Sequence, residues 1–133
     1  VDDELIFTGF TPAHAKTFVR DILTARIRPD GIFALNDMTA IAIMHELKKA
    51  GIKIPDDIAV MGFNNEPFGV FVEPSLTTID LPAQQMGEIA AQMLIEQIKL
   101  PDRSGDKKLI KSTLIIRDST RRLRSTSNGS SAH

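Results

Sequence analysis

Three side-chain amides (Asn36, Asn64, Asn65), three carboxylates (Asp37, Glu66, Asp80), two hydroxyls (Thr8, Thr11) and one aromatic ring (Phe10) fall in loops that follow short apolar runs. Together they suit a neutral, polyhydroxylated ligand. An aromatic ring covers the apolar face of a sugar, while amides and carboxylates satisfy adjacent hydroxyls. A nucleoside would be served almost as well. Each position also has a plain structural role open to it. Asn36 and Asp37 suit helix N-caps, and for Asp37 the cap is the favoured reading. Phe10 suits a staple ahead of a helix, Asp80 a cap, and Glu66 a solvated position. Asn64 and Asn65 follow an apolar strand and a glycine, where amides often serve the turn alone.

Catalytic chemistry has little to stand on. His14 and His45 fall inside helical patterns, away from those loops, and His133 lies at the chain end. There is no Gly-x-Ser-x-Gly elbow, and Gly9 and Gly62 are isolated glycines rather than a phosphate-cradling run. Asp56-Asp57 is an acidic pair, but it precedes a strand and belongs to the opposite end of the fold. The five methionines read as core filler, and the absence of cysteine removes thiolate metal sites and thiol nucleophiles. We therefore expect no enzyme, no metal and no cofactor. Arg117, Arg121, Arg122 and Arg124 lack interleaved aromatics and read as a solvated, basic end rather than a nucleic-acid surface.

The elements that must position these loops alternate along the chain. Leu5-Ile6-Phe7 predicts a strand, and Thr11-Pro12 starts a helix whose apolar stripe is Ala15, Phe18, Val19, Ile22, Leu23 and Ile27. Ile32-Phe33-Ala34-Leu35 predicts a second strand, and Met38 to about Ala50 a second helix closed by Gly51. Ile58 to Met61 is a third strand, ended by Gly62, where the backbone turns and no Cβ would fit. Leu76-Thr77-Thr78-Ile79 is a fourth. A long amphipathic helix follows from about Gln84 to Lys99, with the stripe Met86, Ile89, Ala90, Met93, Leu94 and Ile98. Thr113 to Arg117 closes the order as a last strand.

Such alternation implies βαβ units, hence an α/β fold with a parallel sheet and flanking helices. Ligands in these sheets bind outside the carboxyl ends of the strands. That rule gathers Thr8 to Thr11, Asn36-Asp37, Gly62 to Glu66 and Asp80 to Ala83 at one end. Residues 1–121 form the predicted domain, and 122–133, with nothing apolar to bury, a disordered tail.

The 133 residues carry 42% hydrophobic and 25% charged residues, ordinary globular values, with a formal net charge of −1. No global field draws such a chain to nucleic acid or to an anionic membrane. No apolar run spans a bilayer, and Val1-Asp2-Asp3-Glu4 is acidic where a signal peptide is basic, so a cytoplasmic location is expected.

Several segments, taken in order, resemble the effector-binding core of the lactose-repressor family of bacterial transcription regulators. They are Pro29-Asp30-Gly31-Ile32-Phe33-Ala34-Leu35-Asn36-Asp37-Met38-Thr39-Ala40, then Gly51-Ile52-Lys53-Ile54-Pro55-Asp56-Asp57-Ile58-Ala59-Val60-Met61-Gly62-Phe63-Asn64-Asn65, then Pro74-Ser75-Leu76-Thr77-Thr78-Ile79. The closing Leu114-Ile115-Ile116-Arg117-Asp118-Ser119-Thr120-Arg121 is similar to that family's terminal strand. The resemblance implies part of a type I periplasmic-binding-protein-like core, in which an effector sits between two α/β lobes. It places Phe10 where the family stacks an aromatic on the effector, and Asn36 at its effector-binding asparagine. Asn64 stands where an aspartate commonly binds the effector, so the acceptor-only partner is replaced by one that also donates. Asp80 and Leu81 follow the Leu-Thr-Thr-Ile segment, where further contacts fall.

The implied function is the effector-binding and oligomerisation part of a repressor-type regulator, with the effector a carbohydrate or nucleoside. Operator DNA would be read only by a helix-turn-helix domain upstream of Val1. In the family fold the Gln84–Lys99 helix packs on the first lobe. Its stripe is therefore expected to lack an intramolecular partner and to drive self-association, by exchange of that helix or of the last strand. The alternative is a periplasmic sugar-binding protein of an uptake system.

Overall fold

The computed structural model describes residues 12–100 and 107–121. The predicted strand at Leu5-Ile6-Phe7, the candidate Phe10 and the tail 122–133 lie outside the described residues.

Helix α1 (Pro12–Thr24) starts on proline and buries Ala15, Phe18, Val19 and Ile22 at helical spacing. The predicted stripe ran on to Ile27, but the helix ends at Thr24 and Ile27 is exposed. The Ala25 N–H donates to Ile22 O at 3.2 Å, which tightens the last turn. Pro29 then keeps Arg28 out of helical geometry.

Strand β1 (Gly31–Phe33) pairs in parallel with β2 (Ala59–Met61), Gly31 opposite Ala59 and Phe33 opposite Met61. Between them runs α2 (Asp37–Lys49). Its start is capped by Asn36, whose side chain accepts from the Thr39 N–H at 2.8 Å. Its end is a Schellman closure: Gly51 takes a φ of 77°, its N–H donates to Lys48 O, and the Ile52 N–H donates to Leu47 O. Lys48 and Lys49 occupy the last turn, where the helix dipole favours cations.

Beyond β2 the chain makes a short 3₁₀ turn (Pro67–Val70) and returns as β3 (Thr78–Asp80). This segment lies parallel to β2, through a bridge from Met61 to Thr77 and hydrogen bonds from Gly62 N–H to Thr77 O and from Asn64 N–H to Ile79 O. The last strand, β4 (Thr113–Ile115), runs antiparallel to β3, Ile79 opposite Leu114, and ends in a 3₁₀ turn (Asp118–Thr120). The fold is thus α/β with the parallel pairing expected, closed by one antiparallel edge.

The core fills the space between α1, α2 and one face of the sheet. Ile22, Ile43, Leu47, Val60 and Leu76 are fully enclosed there, with Ile32 and Ala34 beside them. Each such side chain contributes about 1.5–3 kcal/mol on burial. The other sheet face behaves differently. Apolar residues on both sides of β1 predict burial on both, yet Phe33 is 53% exposed and Met61 only half-buried. Among the described residues that face is only partly covered, with Phe63 edge-on against Phe33.

Helix α3 (Ala83–Lys99) carries the predicted apolar stripe, and none of its residues is buried. Leu94 is 62% and Ile98 69% exposed. A 17-residue amphipathic helix with no buried residue is held by its own backbone rather than by the core.

Candidate functional site

The loops after β1, β2 and β3 meet, as the sheet topology requires, and Asp37 is the residue that joins them. It is the first residue of α2 and is fully buried. Its Oδ1 accepts from the Thr78 hydroxyl at 2.6 Å, and its Oδ2 accepts from the Glu66 N–H at 2.7 Å. Its own N–H donates to Phe63 O at 3.0 Å. One carboxylate therefore fastens three elements at the strand tips: α2, loop 62–66 and β3. The two donors and the positive end of α2 together offset the burial of its charge. The cap reading of Asp37 is corrected here: the cap is Asn36, and the aspartate faces inward.

Gly62 also has a different reason to be glycine than a turn. It has no left-handed backbone; Gly51 is the glycine with positive φ among the described residues. A Cβ on Gly62 would collide with Asp37 Oδ1 and stand 3.0 Å from Asp37 Cα. Gly62 is small so that the carboxylate can lie against it.

The turn itself is made by Asn64 and Asn65, with φ of 105° and 53°. Two successive non-glycine residues in this region cost on the order of 1–3 kcal/mol each, and Asn tolerates it better than most. Their side chains do opposite things. Asn64 is exposed and makes no side-chain hydrogen bond among the described residues. Asn65 is half-buried and bridges charges: its Oδ1 accepts from Arg117 Nη2 at 2.8 Å, and its Nδ2 donates to Asp80 Oδ1 at 3.0 Å. Its backbone N–H donates to the Thr78 hydroxyl at 3.2 Å.

Of the residues singled out from sequence, Asn36, Asn64, Asp80 and Leu81 all lie on these converging loops. Asn36 uses Oδ1 for the cap and leaves its Nδ2 without a partner among the described residues. Asp80 has one oxygen on Asn65 and its Oδ2 likewise open. Leu81 is half-buried, and its carbonyl accepts from the Ala83 N–H at 2.7 Å. Phe10 lies outside the described residues. The exposed tip thus presents amide donors and carbonyl or carboxylate acceptors, with the edge-on ring pair Phe33 and Phe63 (centroids 6.3 Å apart) as its apolar neighbour.

Arg117 was read as part of a solvated basic end and is instead built into the fold. Its Nη1 donates to Leu76 O at 2.7 Å, and its N–H donates to the Thr77 hydroxyl at 2.8 Å. Ser119 is fully buried: it donates to Val60 O at 2.6 Å and accepts from the Thr77 N–H at 2.8 Å. Asp118 accepts from the Ser75 hydroxyl at 2.7 Å. The closing Arg-Asp-Ser-Thr run is a clasp on the sheet, placed by side chains that substitute for strand pairing. A signal for it was present in the polar residues that follow a β-branched strand, but their partners lie about forty to sixty residues upstream, at Ser75 to Thr77, Asn65 and Val60.

Two other features stay outside the tip. Asp57 accepts from the Lys53 N–H at 2.8 Å and serves the turn before β2, as its position implied. An open groove of about 480 Å³ runs between α2 and residues 72–73, lined by Ile41, Met44, His45, Lys48, Lys49, Val72 and Glu73; it touches none of the candidate residues. No cluster of metal-ligating side chains occurs among the described residues.

Residues 4–120 match the periplasmic binding protein-like domain family. The chain is 39% identical over 85 residues to the lactose operon repressor of Rhizobium radiobacter, covering 64% of this chain and 75% of that protein. The chain belongs to the lactose-repressor family. It is also 32% identical over 126 residues to the HTH-type transcriptional repressor PurR of Vibrio parahaemolyticus, which covers 92% of this chain and 37% of the repressor. Among solved structures, a LacI family transcriptional regulator from Enterococcus faecalis with bound ribose superposes with a TM-score of 0.75 at 34% identity, over 88% of this chain and 43% of that one. The chain thus spans well under half the length of the Vibrio repressor and of the solved regulator. The lactose-repressor motifs acquire physical content here. The Asn-Asp pair is a cap followed by a buried fastener. The second threonine of Leu-Thr-Thr-Ile, Thr78, meets that fastener, and the first, Thr77, meets the terminal clasp.

Proposed function

We propose that this chain is part of the effector-binding core of a bacterial transcriptional repressor. Its effector is a neutral polyhydroxylated small molecule, a carbohydrate before a nucleoside. The relatives named above are repressors, and the solved regulator holds ribose, which favours this reading over an uptake protein. The observation that carries it is Asn64: a residue in a costly backbone conformation, at the tip of the sheet, whose amide is spent on no other group among the described residues. Asn36 Nδ2 and Asp80 Oδ2 provide further polar positions around it, with Leu81 as an apolar contact and Phe10 as the stacking ring. The role is non-catalytic and needs no cofactor. The protein works in the cytoplasm as a homo-oligomer and reaches operator DNA through a helix-turn-helix domain outside this chain. Effector binding biases lobe closure and, through the oligomer, the presentation of those domains.

Titration calorimetry of the full-length protein with D-ribose and a panel of sugars and nucleosides tests this. Replacing Asn64 by Gly rather than Ala keeps the positive φ while removing the amide. The Asn64→Gly variant should bind the active compound about 3- to 10-fold more weakly, the loss of one neutral hydrogen bond. Unchanged affinity would reduce Asn64 to a turn residue, and no binding of any compound in the panel would count against the effector reading.

A further inference from the structure

We propose that Asn65 is a positioning residue: its amide bridges the Arg117 guanidinium and the Asp80 carboxylate, and so holds both the left-handed turn that presents Asn64 and the one open oxygen of Asp80. This assignment rests on the effector reading and goes beyond it, because it gives Asn65, read from sequence as a turn residue, a role of its own. Arg117 comes from the terminal clasp and Asp80 from the end of β3, so neither neighbours loop 62–66 in sequence. The Asn65 amide fits between them in one orientation only. Its carbonyl oxygen faces the cation at 2.8 Å and its NH₂ faces the anion at 3.0 Å. Reversing the amide would point a donor at a donor and an acceptor at an acceptor. Arg117 is itself anchored, by the Leu76 carbonyl at 2.7 Å, so the relay has a fixed end.

The bridge also sets what Asp80 can do. With Oδ1 engaged by Asn65, Oδ2 is the Asp80 oxygen without a hydrogen bond among the described residues, and the bridge fixes how the carboxylate is held at the tip. Ligand selectivity at this tip therefore depends on two residues that touch no ligand, Asn65 and Arg117. The clasp that carries Arg117 is fastened to β2 and β3 through Ser119 and Thr77, so displacement of the chain end is felt at the tip.

A charge swap tests the relay without knowledge of the effector. Amide hydrogen exchange is followed in the 133-residue chain for the wild type, Asn65→Asp, Asn65→Asp with Asp80→Asn, and Asn65→Gly. Asp tolerates positive φ nearly as well as Asn, so Asn65→Asp changes the charge and leaves the backbone preference. It sets two carboxylates against each other, and the Asn64 and Asn65 amides should exchange roughly tenfold faster while core amides such as Ile43 and Leu47 do not change. Adding Asp80→Asn lets the carboxylate at position 65 accept from both Arg117 and the amide at position 80, and should restore protection to within about twofold. Asn65→Gly, which removes the bridge with no charge conflict, should match Asn65→Asp. Wild-type protection in Asn65→Asp, or failure of the second substitution to restore it, would overturn the relay. Titration calorimetry of the full-length protein with the sugar and nucleoside panel reads the effector hypothesis separately: binding of one of these compounds supports it, and binding of none beside an intact swap pattern counts against the effector reading alone.

Discussion

Replacing Gly62 by Ala is the most informative single perturbation of this fold. The methyl group would occupy the place of Asp37 Oδ1 and stand 3.0 Å from Asp37 Cα, so the carboxylate must leave. Its departure breaks the hydrogen bonds from Thr78 and Glu66, each to a charged acceptor and each worth about 1.5–3 kcal/mol. The expected loss is about 3–6 kcal/mol, against a total stability of about 5–15 kcal/mol for a domain of this size. Urea unfolding followed by circular dichroism measures it directly. The cause is isolated by repeating Gly62→Ala in an Asp37→Ala background. There the collision partner is gone apart from its Cα, and the added cost should fall by at least about 1–2 kcal/mol. Gly87→Ala is the control: a Cβ there meets nothing within 4 Å, and in the interior of α3 it should raise helicity, the alanine preference being about 1 kcal/mol. A cost below about 1 kcal/mol for Gly62→Ala, or an equal cost in both backgrounds, would refute the assignment of Gly62 to the Asp37 contact.

Two further outcomes follow from the same geometry. Ser119→Ala leaves Val60 O and the Thr77 N–H buried without their partner, and should lower stability by about 2–4 kcal/mol in urea unfolding, with exchange accelerated first at β4 and the clasp. Leu94→Lys with Ile98→Lys places charge on the exposed stripe of α3. If that stripe is the self-association surface, analytical ultracentrifugation should show the 133-residue chain assembling at micromolar concentration and the double variant remaining monomeric; a monomeric wild type would remove α3 from that role.

The fold was largely legible because its signals are local. Pro12, Asn36 and Gly51 punctuate helices through local chemistry, and the helical stripes and short β-branched runs need no distant partner to be read. What failed at the level of elements failed at an end: α1 stops at Thr24, ahead of a proline that bars helical geometry only at Arg28, while Ile27 keeps the apolar period beyond the helix. The direction of β4 was not encoded in periodicity. An antiparallel edge and a parallel one carry the same alternation, and the choice falls to the clasp, where Ser119 and Arg117 fix the strand against Leu76 and Thr77.

The site was legible as a place and not as a division of labour. Topology alone brings residues 36–37, 62–66 and 80–83 together, and any polar residue on them becomes a candidate. Which of them faces outward is decided by contacts across about fifteen to fifty residues of sequence: Asp37 with Thr78, Asn65 with Asp80, Asn65 with Arg117. Asp37 and Asn65 looked like turn chemistry because their partners are ordinary residues in distant runs, a threonine in a strand and an arginine beyond the last strand. Once those contacts are known, the adjacent amides part company. Asn65 spends both ends of its amide on charges of opposite sign, which makes it part of the frame. Asn64 spends only its backbone N–H, on Ile79 O, and is held in the left-handed region with its amide in solvent. An uncharged amide at that position accepts and donates where the aspartate common in the lactose-repressor family can only accept. If Asn64 contacts the effector as proposed, its NH₂ can serve a ligand acceptor, such as a ring or carbonyl oxygen, that an aspartate there could not.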